Sequence, residues 1–153
     1  MRHLAPTILL AVVLAGCGRE GGSSARVERV VDGDTIVVAL DGRHERVRYI
    51  GVDTPESVKP GVHVQCYAKS AAKANRRLVS GARVRLEYDR EARDRYGRLL
   101  AYVYRGDLFV NAELVRRGYA KPLEISPNVA HAAEFRRLAA AARHERRGLW
   151  SRC

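Results

Sequence analysis

Three acidic residues and two arginines stand in this chain at spacings that suit a phosphate and a hard cation. The segment RVRYIGVDTPE at residues 46–56 carries most of them. Val47, Tyr49 and, less regularly, Ile50 and Val52 supply the apolar positions of a strand. Thr54-Pro55 ends that strand, because proline has no N–H for a ladder and restricts the residue before it. The strand end therefore gathers Arg48, Asp53 and Glu56. Upstream, VVDGDTIVV at residues 30–38 places Asp32-Gly33 as a turn between two β-rich runs, and if those strands pair, Asp34 faces Asp53. A phosphodiester is anionic and resists attack by another anion. Its hydrolysis needs that charge neutralised, a water activated in line, and the added transition-state charge held. Asp34 and Asp53 are hard oxygen ligands for Ca²⁺, with the Thr54 backbone carbonyl as a third. Glu56 is placed to take a proton from water or to orient it. Arg48 and Arg98 are placed to fork onto non-bridging phosphate oxygens.

The elements that must position these groups follow from the periodicity. Residues 27–31 and 35–40 read as two strands, Asp41-Gly42 as a hairpin turn, and residues 45–50 as the third strand of a meander. Residues 57–64 contain proline and glycine without a period and read as a mobile loop. Residues 66–80 follow helical spacing, with Ala68, Ala71 and Ala72 on one side and Gly81 as a stop. Residues 83–88 alternate as a half-buried strand, and residues 99–104 make the fifth. Asn111 reads as the N-cap of a short helix ended by Gly118, with Val110 and Val115 as its hydrophobic staple. A long helix is expected from Pro127-Asn128 to about residue 147, closed by Gly148, with Phe135, Leu138, Ala139 and Ala142 as its core stripe. Five short strands with about three helices set outside them indicate a mainly β, α+β domain: a five-stranded antiparallel barrel of the OB type.

VVDGDT, RVRYIGVDTPE and DRYGR (residues 94–98), in that order and at that spacing, resemble the staphylococcal-nuclease (thermonuclease) family from about Val27 to Trp150. The resemblance implies the same barrel and a Ca²⁺-dependent enzyme that hydrolyses DNA and RNA endonucleolytically and exonucleolytically to 3′-phosphorylated products. It gives Asp34, Asp53, Thr54, Arg48, Glu56 and Arg98 the roles set out above. Tyr96 then looks like a phosphate-bonding residue on the substrate side, and Arg95 like a supporting charge. One departure stands out. Where the family often carries stacking tyrosines after the short helix, this chain has KPLEISPN at residues 121–128. Base stacking contributes about 1–3 kcal/mol per base, so the expected contacts at that subsite differ.

Composition agrees with a polyanionic partner. In 153 residues, 28 Lys and Arg stand against 17 Asp and Glu, a net charge of +11, and self-repulsion of that size favours a partner of opposite sign. The five histidines show no paired ligand spacing, the three cysteines form no CxxC, and no GxSxG or Walker loop is present, which argues against zinc, redox and nucleophilic-serine chemistry. The rival reading is a non-catalytic OB module holding nucleic acid or an acidic polymer at the cell envelope. A pure binder, however, gains nothing from carboxylates where phosphate must sit.

The start of the chain reads as a leader. A basic head precedes an apolar run at residues 4–15, too short to span a bilayer, which ends in LAGC at residues 14–17. Cysteine there resembles a bacterial lipoprotein signal, so residues 1–16 are expected to be removed and Cys17 lipidated. Residues 17–26 would then be a flexible tether, and residues 27–153 the folded domain, a monomer anchored to the envelope on its periplasmic or extracellular face. Cys66 and Cys153 are left as two thiols in an exported chain. Either they form a disulfide, or Cys66 is an apolar filler and Cys153 a loose end.

Overall fold

The structure, a computed structural model, describes residues 22–56, 61 and 63–153. The expected leader, Cys17 and most of the loop at 57–64 lie outside the described residues. Strands β1 (Gly22–Val30), β2 (Thr35–Leu40) and β3 (Arg43–Tyr49) form the meander. The β2–β3 turn is Asp41-Gly42, with φ of 49° and 75°, the two positive angles that a tight type I′ hairpin demands. After the two-residue β4 (Val52–Asp53) come β5 (Arg83–Glu87) and β6 (Leu99–Arg105). β1 pairs antiparallel with both β2 and β5, β5 pairs antiparallel with β6, and β6 closes onto β3.

The five-stranded barrel is therefore as expected, but it is not antiparallel throughout, because the closing β3–β6 pair is parallel. The reason is arithmetic. A closed ring of five cannot alternate direction all the way round, so one neighbouring pair must run the same way. A second departure lies at the N-terminus. β1 begins at Gly22 and pairs residues 22–26 with the whole of β5, so the second half of the expected tether is strand. A partner ladder far along the chain overrides the flexible Gly/Ser composition, and the buried Ala25 and Val27 show the same period-two alternation as the rest of the strand.

Inward alternation fills the barrel. Val27, Ile36, Val38, Val47, Tyr49, Val84, Leu86 and Val103 are all essentially inaccessible, and burial of one such side chain contributes about 1.5–3 kcal/mol. Helix α1 (Ala68–Val79) lays its alanine face on this body and stops before Gly81, whose φ is 67°. The short β7 (Leu108–Phe109) leads into α2 (Val110–Arg116), and β8 (Lys121–Pro122) pairs with β4. Helix α3 (Ala132–His144) presents Phe135, Ala139 and Ala142 to the core, and α4 (Leu149–Arg152) follows it.

Asn111 is not a cap. Phe109 holds that position without a side-chain bond, and Asn111 lies inside α2, fully buried. Its Oδ1 accepts from the Val103 N–H at 2.9 Å and its Nδ2 donates to the Ile50 carbonyl at 2.8 Å. Buried backbone groups need partners, and this amide satisfies one on β6 and one in the turn after β3. Val110 and Val115 are core residues rather than a staple. Gly148 does not close α3, which ends at His144; it precedes α4. A Cβ on Gly148 would lie 2.3 Å from the Gly118 carbonyl oxygen, and one on Gly118 2.2 Å from that of Arg147, so the two glycines let the C-terminal segment cross the end of α2 in direct backbone contact. Cys66 and Cys153 are bonded, with Cα atoms 5.9 Å apart, and Cys66 is exposed rather than an apolar filler.

Candidate active site

Asp34 leaves the β1–β2 turn with its backbone N–H bonded to Asp32 Oδ1 at 3.1 Å. It is 5% exposed, and its carboxylate is held on both sides. Oδ1 accepts from the Thr35 hydroxyl at 3.1 Å, and Oδ2 accepts from the Thr54 N–H at 2.8 Å and the Thr54 hydroxyl at 2.9 Å. Thr54 reaches it only because residue 33 is glycine: a Cβ there would stand 2.5 Å from Thr54 Oγ1. From below, Asn75 ties the turn down. Its Nδ2 donates to the Asp32 carbonyl at 3.0 Å, while its Oδ1 accepts from the buried Tyr49 hydroxyl at 2.9 Å.

Arg48 points outward because Val47 and Tyr49 on either side point in. Its Nη1 donates to the Val52 carbonyl at 2.7 Å and the Tyr49 carbonyl at 3.1 Å. Its other edge faces the acids, with Nη2 2.9 Å from Asp53 Oδ1 and Nε 3.3 Å from Asp34 Oδ1. The guanidinium thus bridges the two expected ligand carboxylates, which occupy the edge where a phosphate would fork. Asp53 sits at the lip of the cleft. Burial raises its carboxyl above the ordinary range; Arg48 opposes the rise, and the charges of Asp34 and Glu56 add to it. Asp32 is pushed up to about 6, by burial first and then by the Asp34 charge.

Arg98 arrives from the other side, on the loop before β6. Asp94 accepts from the Arg98 Nε at 2.7 Å, the Arg98 N–H at 3.0 Å and the Tyr96 N–H at 2.9 Å. Burial raises the Asp94 carboxyl, but these donors and the Arg98 charge outweigh it and hold the group below the ordinary range. The loop is braced further back by Asn128, which accepts from the Glu91 N–H and donates to the Glu91 carbonyl, both at 2.8 Å.

Arg48, Glu56, Arg98, Asp34, Asp53 and Thr54 line one polar cleft of about 80 Å³, together with Asp32, Thr35 and Pro55. Arg95 and Tyr96 do not line it. They stand in an adjoining groove of about 560 Å³ that shares Arg48 and Arg98 with the cleft. There the Arg95 guanidinium lies 4.8 Å from the centre of the exposed Tyr96 ring and donates to its hydroxyl at 2.7 Å. Leu123 and Ile125 are exposed in the groove wall. From the sequence, Gly33 reads only as a turn residue and Asn128 only as a helix start, while Asn75 and Asp94 carry no assigned role; Asp94 has a local signal, four residues ahead of Arg98.

Four carboxylates share the cleft with two arginines, an excess of negative charge. That excess and the all-oxygen donor set fit a hard divalent cation. Among the described residues no group of three or more His, Cys, Asp or Glu converges as a ligand set. The donors that such a cation would meet on this chain are oxygens, those of the Asp34 and Asp53 carboxylates among them.

Residues 46–152 match the family described as Staphylococcal nuclease homologue. The chain is 45% identical to a thermonuclease of Staphylococcus intermedius over 86% of its own length and 78% of that protein. It is 40% identical to a thermonuclease of Staphylococcus hyicus, covering 90% and 81% respectively. It is also 40% identical to Endonuclease YncB of Bacillus subtilis, over 82% of this chain and 61% of that protein.

Proposed function

Because this chain belongs to the family of staphylococcal nuclease homologues, we propose that its cleft hydrolyses the phosphodiester bonds of DNA and RNA. The observation that carries the reading is the convergence of Arg48 and Arg98, from a strand and from a distant loop, on a cleft that also holds Asp34, Asp53 and Glu56. The cation is Ca²⁺, held by Asp34, Asp53 and the Thr54 carbonyl. When bound it supplies positive charge that offsets the anion and its transition state.

The protein's own groups do the rest. The Nε and Nη2 edge of Arg48 takes the scissile phosphate in exchange for the carboxylates it now faces. Arg98 approaches the same phosphate with its Nη groups while Asp94 fixes its Nε. Glu56, at the cleft wall, orients the attacking water and accepts its proton; the bond to the 5′ oxygen breaks, that oxygen takes a proton from solvent and leaves as a 5′-hydroxyl, and the phosphate stays on the 3′ side. The chain acts as a monomer, exported and held at the cell envelope by lipid on Cys17. No helix among the described residues is long and apolar enough to cross a membrane.

The test is digestion of DNA and RNA by the purified chain with Ca²⁺ and then with excess EGTA. Loss of digestion in EGTA is expected, with products whose 3′ ends a polymerase can extend only after they are dephosphorylated. Undiminished digestion in EGTA would remove calcium from the reading, and no digestion in either condition would remove the nuclease.

A further inference from the structure

Resting on that reading, we propose that the outward face of the β1–β2–β3 sheet, extended onto β5, is a track for the nucleic-acid backbone beyond the scissile phosphate. It is carried by Arg46, Arg29, Arg26 and Arg83. The pairing register places them. On β3 the side chains alternate, so Arg46 faces the same way as Arg48, one step of about 7 Å along the strand. Arg46 stands opposite Val37, and Val37 opposite Arg29. In the next row Ala39 stands opposite Arg26, and Arg26 opposite Arg83 on β5. An irregularity in β1 between Val27 and Arg29 leaves both Glu28 and Arg29 exposed.

The charges on this face are lopsided and available. All four arginines are exposed, and among the described residues none of their side chains makes a hydrogen bond or ion pair. The two carboxylates that share the face are already taken, Glu28 by His44 at 2.6 Å and Glu87 by Arg85. Arg26 and Arg83 are direct cross-strand neighbours, a placement in which like charges destabilise the sheet and which a polyanion relieves. Val37, between Arg46 and Arg29, and Ala39, between Arg26 and His44, are short, so the floor is low. These rows hold no Phe, Tyr or Trp, so the surface would grip the backbone without reading bases. An anionic lipid surface would meet the same charges. Continuity decides for nucleic acid, because the row of Arg46 begins beside Arg48 in the cleft, where successive phosphates of a bound strand must leave it.

The experiment measures binding of a fluorescent single-stranded 20-mer to the full chain in EGTA, over a range of salt, beside sedimentation with phosphatidylglycerol vesicles. The variant Arg29→Gln/Arg46→Gln is compared with Arg137→Gln/Arg146→Gln, which removes the same charge from exposed positions after the barrel. The track variant should bind roughly fivefold more weakly or worse, with its salt slope lower by about 1.4, near 0.7 for each phosphate that is no longer neutralised. Its KM for long DNA should rise in parallel, and the control should stay close to wild type in both. Adding Arg26→Gln/Arg83→Gln should weaken binding again. Equal affinity and slope in the track and control variants would overturn the proposal, as would loss of vesicle binding with oligonucleotide affinity intact. If the unaltered chain cleaves no nucleic acid, the nuclease reading fails, and the binding comparison still decides the track.

Discussion

The two arginines of the cleft stand on unlike platforms. Arg48 rises from the middle of a barrel strand, its side chain 15% exposed, with two carbonyls behind it and two carboxylates in front. Arg98 ends an irregular loop, its side chain 30% exposed, and is anchored by one carboxylate, that of Asp94. The first arginine is built into the fold, while the second is delivered to it. Arg48 also neutralises a buried acid, so it belongs to stability as well as to chemistry. Arg98 can be altered with little cost to folding.

Lysine at either position tests this most severely. Arg48→Lys and Arg98→Lys each keep the charge and lack the planar fork, and each should cut the rate at least ~100-fold, the scale of removing one transition-state donor. The melting temperatures should separate them. Arg48→Lys cannot reach the carbonyls and both carboxylates at once and melts lower, whereas Arg98→Lys stays within about 0.5 kcal/mol of wild type. Equal melting of both variants would erase the distinction. Glu56→Gln belongs to neither platform. It should lower turnover by about 100-fold while calorimetric Ca²⁺ binding persists; loss of the metal would make Glu56 a ligand instead.

Gly33→Ala attacks the strand platform from behind. The new methyl group meets Thr54, so a destabilisation of about 1–3 kcal/mol is expected, with a fall in rate as Asp34 is deprived of its two Thr54 donors. Asp94→Asn attacks the loop platform. It removes the charge that holds the Arg98 Nε and should cost about tenfold in rate, within the range seen for supporting groups, with little change in melting. If Asp94→Asn unfolds the protein while Gly33→Ala is harmless, the platforms have been assigned the wrong way round.

What could be read from the sequence divides along the same line. Arg48, Asp53 and the Asp41-Gly42 turn follow from alternation and turn chemistry, which are local. The parallel β3–β6 pair was also within reach, since an odd closed ring requires one. The contact that makes Gly33 necessary was not, because Thr54 is far along the chain and nothing in DGD names it. Asn111 looks like a cap because capping is what asparagine does beside a helix, yet two buried backbone groups, from β6 and from the turn after β3, claim its amide. β1 began earlier than the glycine and serine composition suggested, for β5 supplies a ladder that local propensity does not contain. Asn128 and Asn75 carry no motif, and their value lies in what the fold brings to them.

The bond between Cys66 and Cys153 divides the molecule in a way that strands and helices do not. It closes residues 66–153 into a covalent ring that contains Arg98, and leaves Asp34, Arg48, Asp53 and Glu56 on a linear arm outside it. A single protease cut within the ring leaves one connected molecule, whose cut ends the barrel can still hold. A single cut between Glu56 and Cys66 gives two separate chains, each with one arginine of the cleft, and the site then survives only as long as the two pieces stay folded together.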